Sequence, residues 1–168
     1  MDFQSKSKLR KALLEKRGAL DPDRGHDLLE RLQFELHEFT HVASFIPFGS
    51  EIDISPINEW ILEVKQLYIP RNTDFHHITS YDDLEMHPFG FEQPKAECLH
   101  AKNVECFLVP GVAFDLKNNR LGYGHGHIDR TLAKYPNVRT IGINYREMVI
   151  EELPVEEHDV ALHQIIHD

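Results

Sequence analysis

The chain of 168 residues has two cysteines, one tryptophan and no long apolar run, and each scarcity excludes a class of protein. Cys98 and Cys106 are too few for a disulfide framework, and neither belongs to a CxxC pair, which points to a reducing compartment. No stretch approaches the roughly 18 consecutive apolar residues that a membrane-spanning helix needs. The opening MDFQSKSKLRKALLEKRGAL is charged and lacks the apolar segment of a signal peptide, so a cytoplasmic location is expected. Positive charge is in deficit: 18 Lys and Arg against 28 Asp and Glu give a formal net charge of -10. A nucleic-acid surface needs the opposite balance, so neither nucleic acid nor a membrane is an expected partner. There is no repeat, low-complexity tract or linker, and residues 1–168 read as one domain, expected to be a monomer.

What is present is ordinary in amount, with 41% hydrophobic and 27% charged residues, and informative in order. Lys6 to Leu20 reads as a helix, and Asp21-Pro22 as the cap and first turn of a second, with a stripe of Leu29, Leu32, Leu36 and Phe39. His41 to Pro47 reads as a buried strand. Ser55-Pro56 opens a third helix, with Ser55 as N-cap and Ile57, Trp60, Ile61 and Val64 on one face. Trp60 at that spacing reads as core rather than as a ligand platform. Gln66 to Pro70 is a short strand, the stretch from Asn72 to Pro94 is irregular with short strands and a turn, and Val104–Val109 and Val138–Ile143 are buried strands. The tail ALHQIIHD holds a last one. Alternating strands and helices predict an α/β layered domain with a central, largely parallel sheet flanked by helices. In such sheets ligands sit beyond the carboxyl ends of strands.

The stretch RLGYGHGHIDR, Arg120 to Arg130, follows a strong strand and a polar turn, Asp115 to Asn119, and leads into a helix near His127. Alternating Gly122, Gly124 and Gly126 let backbone approach phosphate oxygens, and a helix N-terminus adds partial positive charge. Arg120 and Arg130 supply full charges, and Asp129, expected at the surface of the loop, is placed to hold magnesium. The spacing is neither GxxxxGK[ST] nor GxGxxG, so GxGxG alone is a weak signal; a glycine-rich turn is the alternative, and the flanking arginines and the acid favour a phosphate loop. Lys6, Lys8, Arg10, Lys11, Lys16 and Arg17 concentrate charge near the N-terminus, either as a solvated helix face or as contacts to an anionic ligand. Twelve histidines include His125-x-His127, but no HExxH or cysteine pair accompanies them, and zinc is not expected.

VPGVAFDLKNNRLGYGHGHIDR closely resembles the signature PGxxFDxxGxRLGxGxGYYDR of the 5-formyltetrahydrofolate cyclo-ligase family. The likeness extends along nearly the whole chain. Lys6-Ser7-Lys8-Leu9-Arg10 is similar to the family's KxxLR, and Glu51-Ile52-Asp53-Ile54 with Ser55 to its EIDT-type segment. Gly90 to Pro94 resembles its GxxEP turn, and Leu153-Pro154-Val155-Glu156-Glu157-His158-Asp159 its LPxExHD ending. The resemblance implies a fold like that of ribose-phosphate isomerase and the CoA-transferases. It implies conversion of 5-formyltetrahydrofolate and ATP to 5,10-methenyltetrahydrofolate, ADP and phosphate, with Mg2+ as cofactor, so ATP and a reduced folate are the expected partners. Lys6 and Arg10 would contact ATP, and Arg120, Leu121, Gly122, Tyr123, Gly124, His125, Gly126, His127 and Ile128 would wrap the triphosphate. Within that loop Arg120, Gly124 and Gly126 would be catalytic, and Tyr123 through His127 would also reach the formyl group. Ile46 and Glu51 would line the folate pocket, and Asp129 and Asp159 would be the magnesium ligands. Two departures stand out. His127-Ile128 replaces the family's paired tyrosines, which motivates the alternative of a relative that binds nucleotide or folate without turnover. Asn118-Asn119 replaces the usual glycine before Arg120, a mild change because asparagine tolerates positive φ.

Overall fold

The computed structural model describes residues 3–101 and 103–168. Its centre is a six-stranded sheet in the order β11-β9-β6-β1-β2-β3. The strands are β1 (His41–Ala43), β2 (Gln66–Arg71), β3 (Asp74–Ile78), β6 (Cys106–Val109), β9 (Arg139–Asn144) and β11 (Gln164–His167). All neighbours pair parallel except the edge strand β3, which runs antiparallel to β2. The expected α/β class, with a largely parallel sheet, is therefore what the chain adopts.

The apolar runs explain it. A strand covered on both faces must be apolar at every position, and β6, CFLV, is buried throughout. Cys106 and Leu108 face one core with Val42, Ile141 and Ile143, while Phe107 and Val109 face the other with Ala43 and Phe114. Helix α2 (Leu29–Glu35) and helix α3 (Ser55–Val64) cover the first face with Leu32, Ile57 and Ile61. Helix α4 (His127–Lys134) covers the second through Leu132. Each of these fully buried aliphatics contributes roughly 1.5–3 kcal/mol. Among the described residues no helix is long and apolar enough to cross a membrane.

Several boundaries differ from the sequence reading. The Asp21-Pro22 signal opens a 3-10 helix, Pro22–Leu28, before α2 begins. Gly25 permits this, since a Cβ there would stand 2.0 Å from the Asp53 carbonyl oxygen. In α3 the cap position belongs to Ile54, and Ser55 is the first helical residue. The Asp53 carboxylate takes the capping role, accepting from the Ser55 amide at 2.9 Å and its hydroxyl at 2.6 Å. Strand β1 stops at Ala43 rather than Pro47: the Ser44 amide still donates to the Tyr68 carbonyl at 2.9 Å, but the next carbonyl, that of Phe45, accepts from the buried Asn58 of α3 at 2.9 Å, and Asn58 accepts from the Ser44 hydroxyl at 2.6 Å. Trp60 packs against the core as expected.

Two small sheets carry the chain to the site. Strands β4 (Leu84–Met86) and β5 (Glu92–Pro94) form a hairpin. The second small sheet has the order β10-β7-β8, from β7 (Ala113–Asp115), β8 (Arg120–Leu121) and β10 (Val149–Ile150). Helix α1 (Phe3–Arg17) packs on that sheet, Leu13 meeting Val112, Ala113, Leu121 and Leu153.

Candidate active site

The β7–β8 turn is built around Asp115. This fully buried carboxylate accepts from the amides of Lys117 and Asn119 at 2.9 Å each, and from the Asn119 side chain and the Leu153 amide at 3.0 Å each. Asn118 adopts φ 62°, so asparagine fills the left-handed position that the missing glycine would take. The turn delivers Arg120 and Leu121 to the start of the glycine loop.

That loop and its surroundings line one open cavity. Lys6 and Arg10 from α1, Arg120 through Asp129, and Glu156, His158 and Asp159 all contribute to its wall. The residues singled out near the N-terminus, in the loop and at Asp159 thus come together. Ile46 and Glu51 do not line it: Ile46 packs half-buried against the core, and Glu51 lies behind Tyr123.

The three glycines have a second use beside backbone approach. A Cβ on Gly122 would stand 2.6 Å from a terminal nitrogen of Arg120, one on Gly124 3.3 Å from the guanidinium carbon of Arg10, and one on Gly126 3.0 Å from a terminal nitrogen of Arg130. Each glycine seats a guanidinium against the loop. Gly126, at φ 67°, is the cap of α4 and offers no side chain to it, so the first turn of that helix meets the cavity uncapped.

Two cations of the cavity are paired with carboxylates, while Arg10 donates to the Gly122 carbonyl at 2.7 Å. Arg120 is nearly enclosed, its side chain 4% exposed, and donates to Asp129 Oδ2 at 3.0 Å. Its Nε is the one buried side-chain polar atom without a partner among the described residues. Burial pulls the Arg120 guanidinium below its ordinary range while the Asp129 carboxylate holds it up. Asp129 is therefore not a free surface carboxylate; it sits in the first turn of α4, against that cation. Asp159 accepts from Lys6 Nζ at 3.0 Å and from the Glu156 amide at 2.8 Å. Burial opposes ionisation of Asp159, but the Glu156 amide and Lys6 outweigh it and hold the carboxyl below the usual range. Glu156, His158 and Asp159 bring ligand atoms within 4.8 Å of one another.

Behind the loop, the Tyr123 hydroxyl donates to Glu51 Oε1 at 2.9 Å and accepts from Arg17 at 2.6 Å. The Phe48 amide donates to Glu51 Oε2 at 2.9 Å. At the hairpin tip an aromatic wall forms, with His87 stacked on Phe91 at 4.4 Å and Phe91 edge-on to Phe48 at 6.1 Å. Sequence reasoning did not assign Arg17, Glu156 or His158 to the site. The last two lie in the quoted LPxExHD-like ending, which was the available signal; Arg17 has none beyond membership of the basic cluster.

Fold and site together define a class: an α/β protein with a cationic, glycine-lined loop set against carboxylates. The particular family follows from comparison. The family model described as the 5-formyltetrahydrofolate cyclo-ligase family matches residues 2–168, and the chain belongs to that family. It is 30% identical over 138 residues to the 5-formyltetrahydrofolate cyclo-ligase of Escherichia coli strain K12, covering 74% of this chain and 76% of the relative. Among solved structures, 5,10-methenyltetrahydrofolate synthetase of Aquifex aeolicus superposes with a TM-score of 0.84 at 31% identity, over 96% of this chain and 89% of the other. The corresponding protein of Mycoplasma pneumoniae superposes with a TM-score of 0.74 at 25% identity, over 99% and 98%.

Proposed function

We propose that this protein converts 5-formyltetrahydrofolate and ATP to 5,10-methenyltetrahydrofolate, ADP and phosphate. The observation that carries the reading is the seating of Arg120 and Arg10 against the glycine loop, in one cavity with Lys6 and the carboxylates of Asp129, Glu156 and Asp159. A triphosphate needs that concentration of positive charge, and phosphoryl transfer is chiefly a matter of positioning and charge stabilisation. The formyl oxygen attacks the γ-phosphorus and the bond to ADP breaks. N10 of the folate then attacks the activated formyl carbon, the carbon–oxygen bond to phosphate breaks, and N10 gives up its proton.

In this reading Lys6, Arg10 and Arg120 hold the phosphates, and the uncapped first turn of α4 adds its amides. Among the described residues, Arg120 keeps an enclosed Nε without a partner beside its ion pair with Asp129, so its donor capacity is not exhausted by that pair. Glu51, tied to the loop by Tyr123, accepts hydrogen bonds from the pterin ring, and Ile46 and the His87–Phe91–Phe48 wall supply the apolar side. Asp129 and Asp159 suit magnesium, which prefers a few carboxylate oxygens together with substrate phosphates. When bound, the ion neutralises charge on the phosphate oxygens. The ribose-phosphate isomerase-like architecture, a monomeric state and a cytoplasmic location remain part of the proposal, the last supported by two unpaired thiols, Cys98 and Cys106.

The test is thermal stabilisation and turnover together. ATP with magnesium should raise the melting temperature, and addition of 5-formyltetrahydrofolate should produce the methenyl-folate absorbance band. Tight binding of either ligand without product would overturn the catalytic reading in favour of a binding protein.

A further inference from the structure

Arg17 is a charged side chain placed where charge is costly. It is 1% exposed, at the last position of α1, where a cation complements the helix dipole. All three faces of its guanidinium donate: Nε to the Ser50 hydroxyl at 3.0 Å, one terminal nitrogen to the Gly111 carbonyl at 3.1 Å, and the other to the Tyr123 hydroxyl at 2.6 Å. Among the described residues it makes no direct ion pair. A buried cation left without a countercharge would destabilise the fold severely. Its countercharge is reached through a phenol instead.

The direction of that relay is fixed by chemistry. Arginine can only donate, so the Tyr123 oxygen accepts from Arg17 and its single proton is left for Glu51 Oε1, 2.9 Å away. The guanidinium also lies 5.6 Å from the centre of the Tyr123 ring, which restrains the phenol further. Glu51 is itself 8% exposed, and its other oxygen accepts from the Phe48 amide. An ionised carboxylate offers about four acceptor directions. Two are occupied, and no further side-chain or amide donor meets the carboxylate among the described residues. Hydrogen bonds in such a chain strengthen one another, so removal of one end weakens the other.

We infer that Arg17 is a positioning residue for the reduced folate, acting through the Tyr123 hydroxyl to hold the Glu51 carboxylate aligned as an acceptor and tied to the phosphate loop. The inference rests on the proposed role of Glu51 toward the pterin ring. Burial holds the Glu51 carboxyl above its ordinary range, and the Phe48 amide, the Tyr123 hydroxyl and Arg17 offset only part of that rise; these are the polar groups that face it. Without Arg17 the carboxyl protonates at higher pH and loses an acceptor.

The experiment compares Arg17→Met, Arg17→Lys, Tyr123→Phe and Glu51→Gln in steady-state assays with ATP, magnesium and 5-formyltetrahydrofolate between pH 6 and 8. Tyr123→Phe, a near-isosteric change, should raise the KM for the folate roughly tenfold and leave the KM for ATP almost unchanged. Arg17→Met should do the same, with a folate KM that worsens more steeply toward pH 6 than in the unmodified protein. Arg17→Lys, which restores the charge, should recover the pH profile. If Arg17→Met fails to fold, Tyr123→Phe still tests the relay, because it breaks the link while keeping Arg17. Folate and ATP constants rising together, or a pH profile that does not move in Arg17→Met, would overturn the positioning role. An unaltered folate KM in Glu51→Gln would instead overturn the reading of Glu51 on which it rests.

Discussion

Lys6 and Asp159, 153 positions apart, meet at 3.0 Å across the cavity that holds the glycine loop. Their side chains are only 13% and 14% exposed, so solvent screens the pair less than a surface ion pair. Lys6→Ala removes one of the phosphate-directed charges and leaves Asp159 without its cation. The KM for ATP should rise roughly tenfold, the worth of one charge-assisted hydrogen bond, and the KM for folate should change less. Equal effects on both would mean that α1 serves folding alone.

Asp129→Asn is expected to abolish magnesium-dependent turnover. The fold should pay as well, because the carboxylate neutralises the enclosed Arg120. Loss of charge with retention of a hydrogen-bonding amide should cost about 1–3 kcal/mol. The checks are a magnesium titration of activity and a denaturant melt. Unchanged magnesium dependence would remove Asp129 as a ligand.

Gly122→Ala tests whether the glycines seat guanidinium groups. A methyl group 2.6 Å from a terminal nitrogen of Arg120 must displace that side chain, while the backbone there needs no left-handed conformation. Turnover should fall at least about tenfold, and Arg120 should move away from Asp129 in a structure of the variant. A fully active variant would show that Arg120 tolerates displacement.

Asp115 sets an acid limit on the loop. Burial opposes its ionisation, but the Asn119 side chain, the Leu153 amide and the Asn119 and Lys117 amides outweigh this and hold the carboxyl below its ordinary range. Its folded-state pKa therefore lies beneath the unfolded value of about 3.9. The stabilisation is fully present above that value and is lost as pH falls through the folded-state pKa. Asp115→Asn should lose about 2 kcal/mol at neutral pH and show a flatter loss of stability below pH of about 4. Chemical denaturation across that range measures both.

The strand β6 was legible in the sequence because burial on both faces requires a continuous apolar run, and β9 through the Ile141 and Ile143 alternation at its centre. The loop was legible because its glycines and arginines are local in sequence. The boundaries of β1 and α3 were not, since Asn58 and Asp53 take over hydrogen bonds that a strand or a serine cap would otherwise make. Arg17 was read only as part of a basic cluster. Nothing local distinguishes it from Lys16, the exposed residue before it; the difference arises from Ser50, Gly111 and Tyr123, which folding brings together. Both residues of the His127-Ile128 departure line the cavity, but His127 is exposed while Ile128 also packs partly against the core around Leu132.

The most direct measurement is the stoichiometry of methenyl-folate formed and ADP released when the purified protein receives 5-formyltetrahydrofolate, ATP and magnesium. A one-to-one ratio that disappears without ATP is the predicted result. ATP hydrolysis without methenyl-folate, or binding of both ligands with no product, would contradict the assignment.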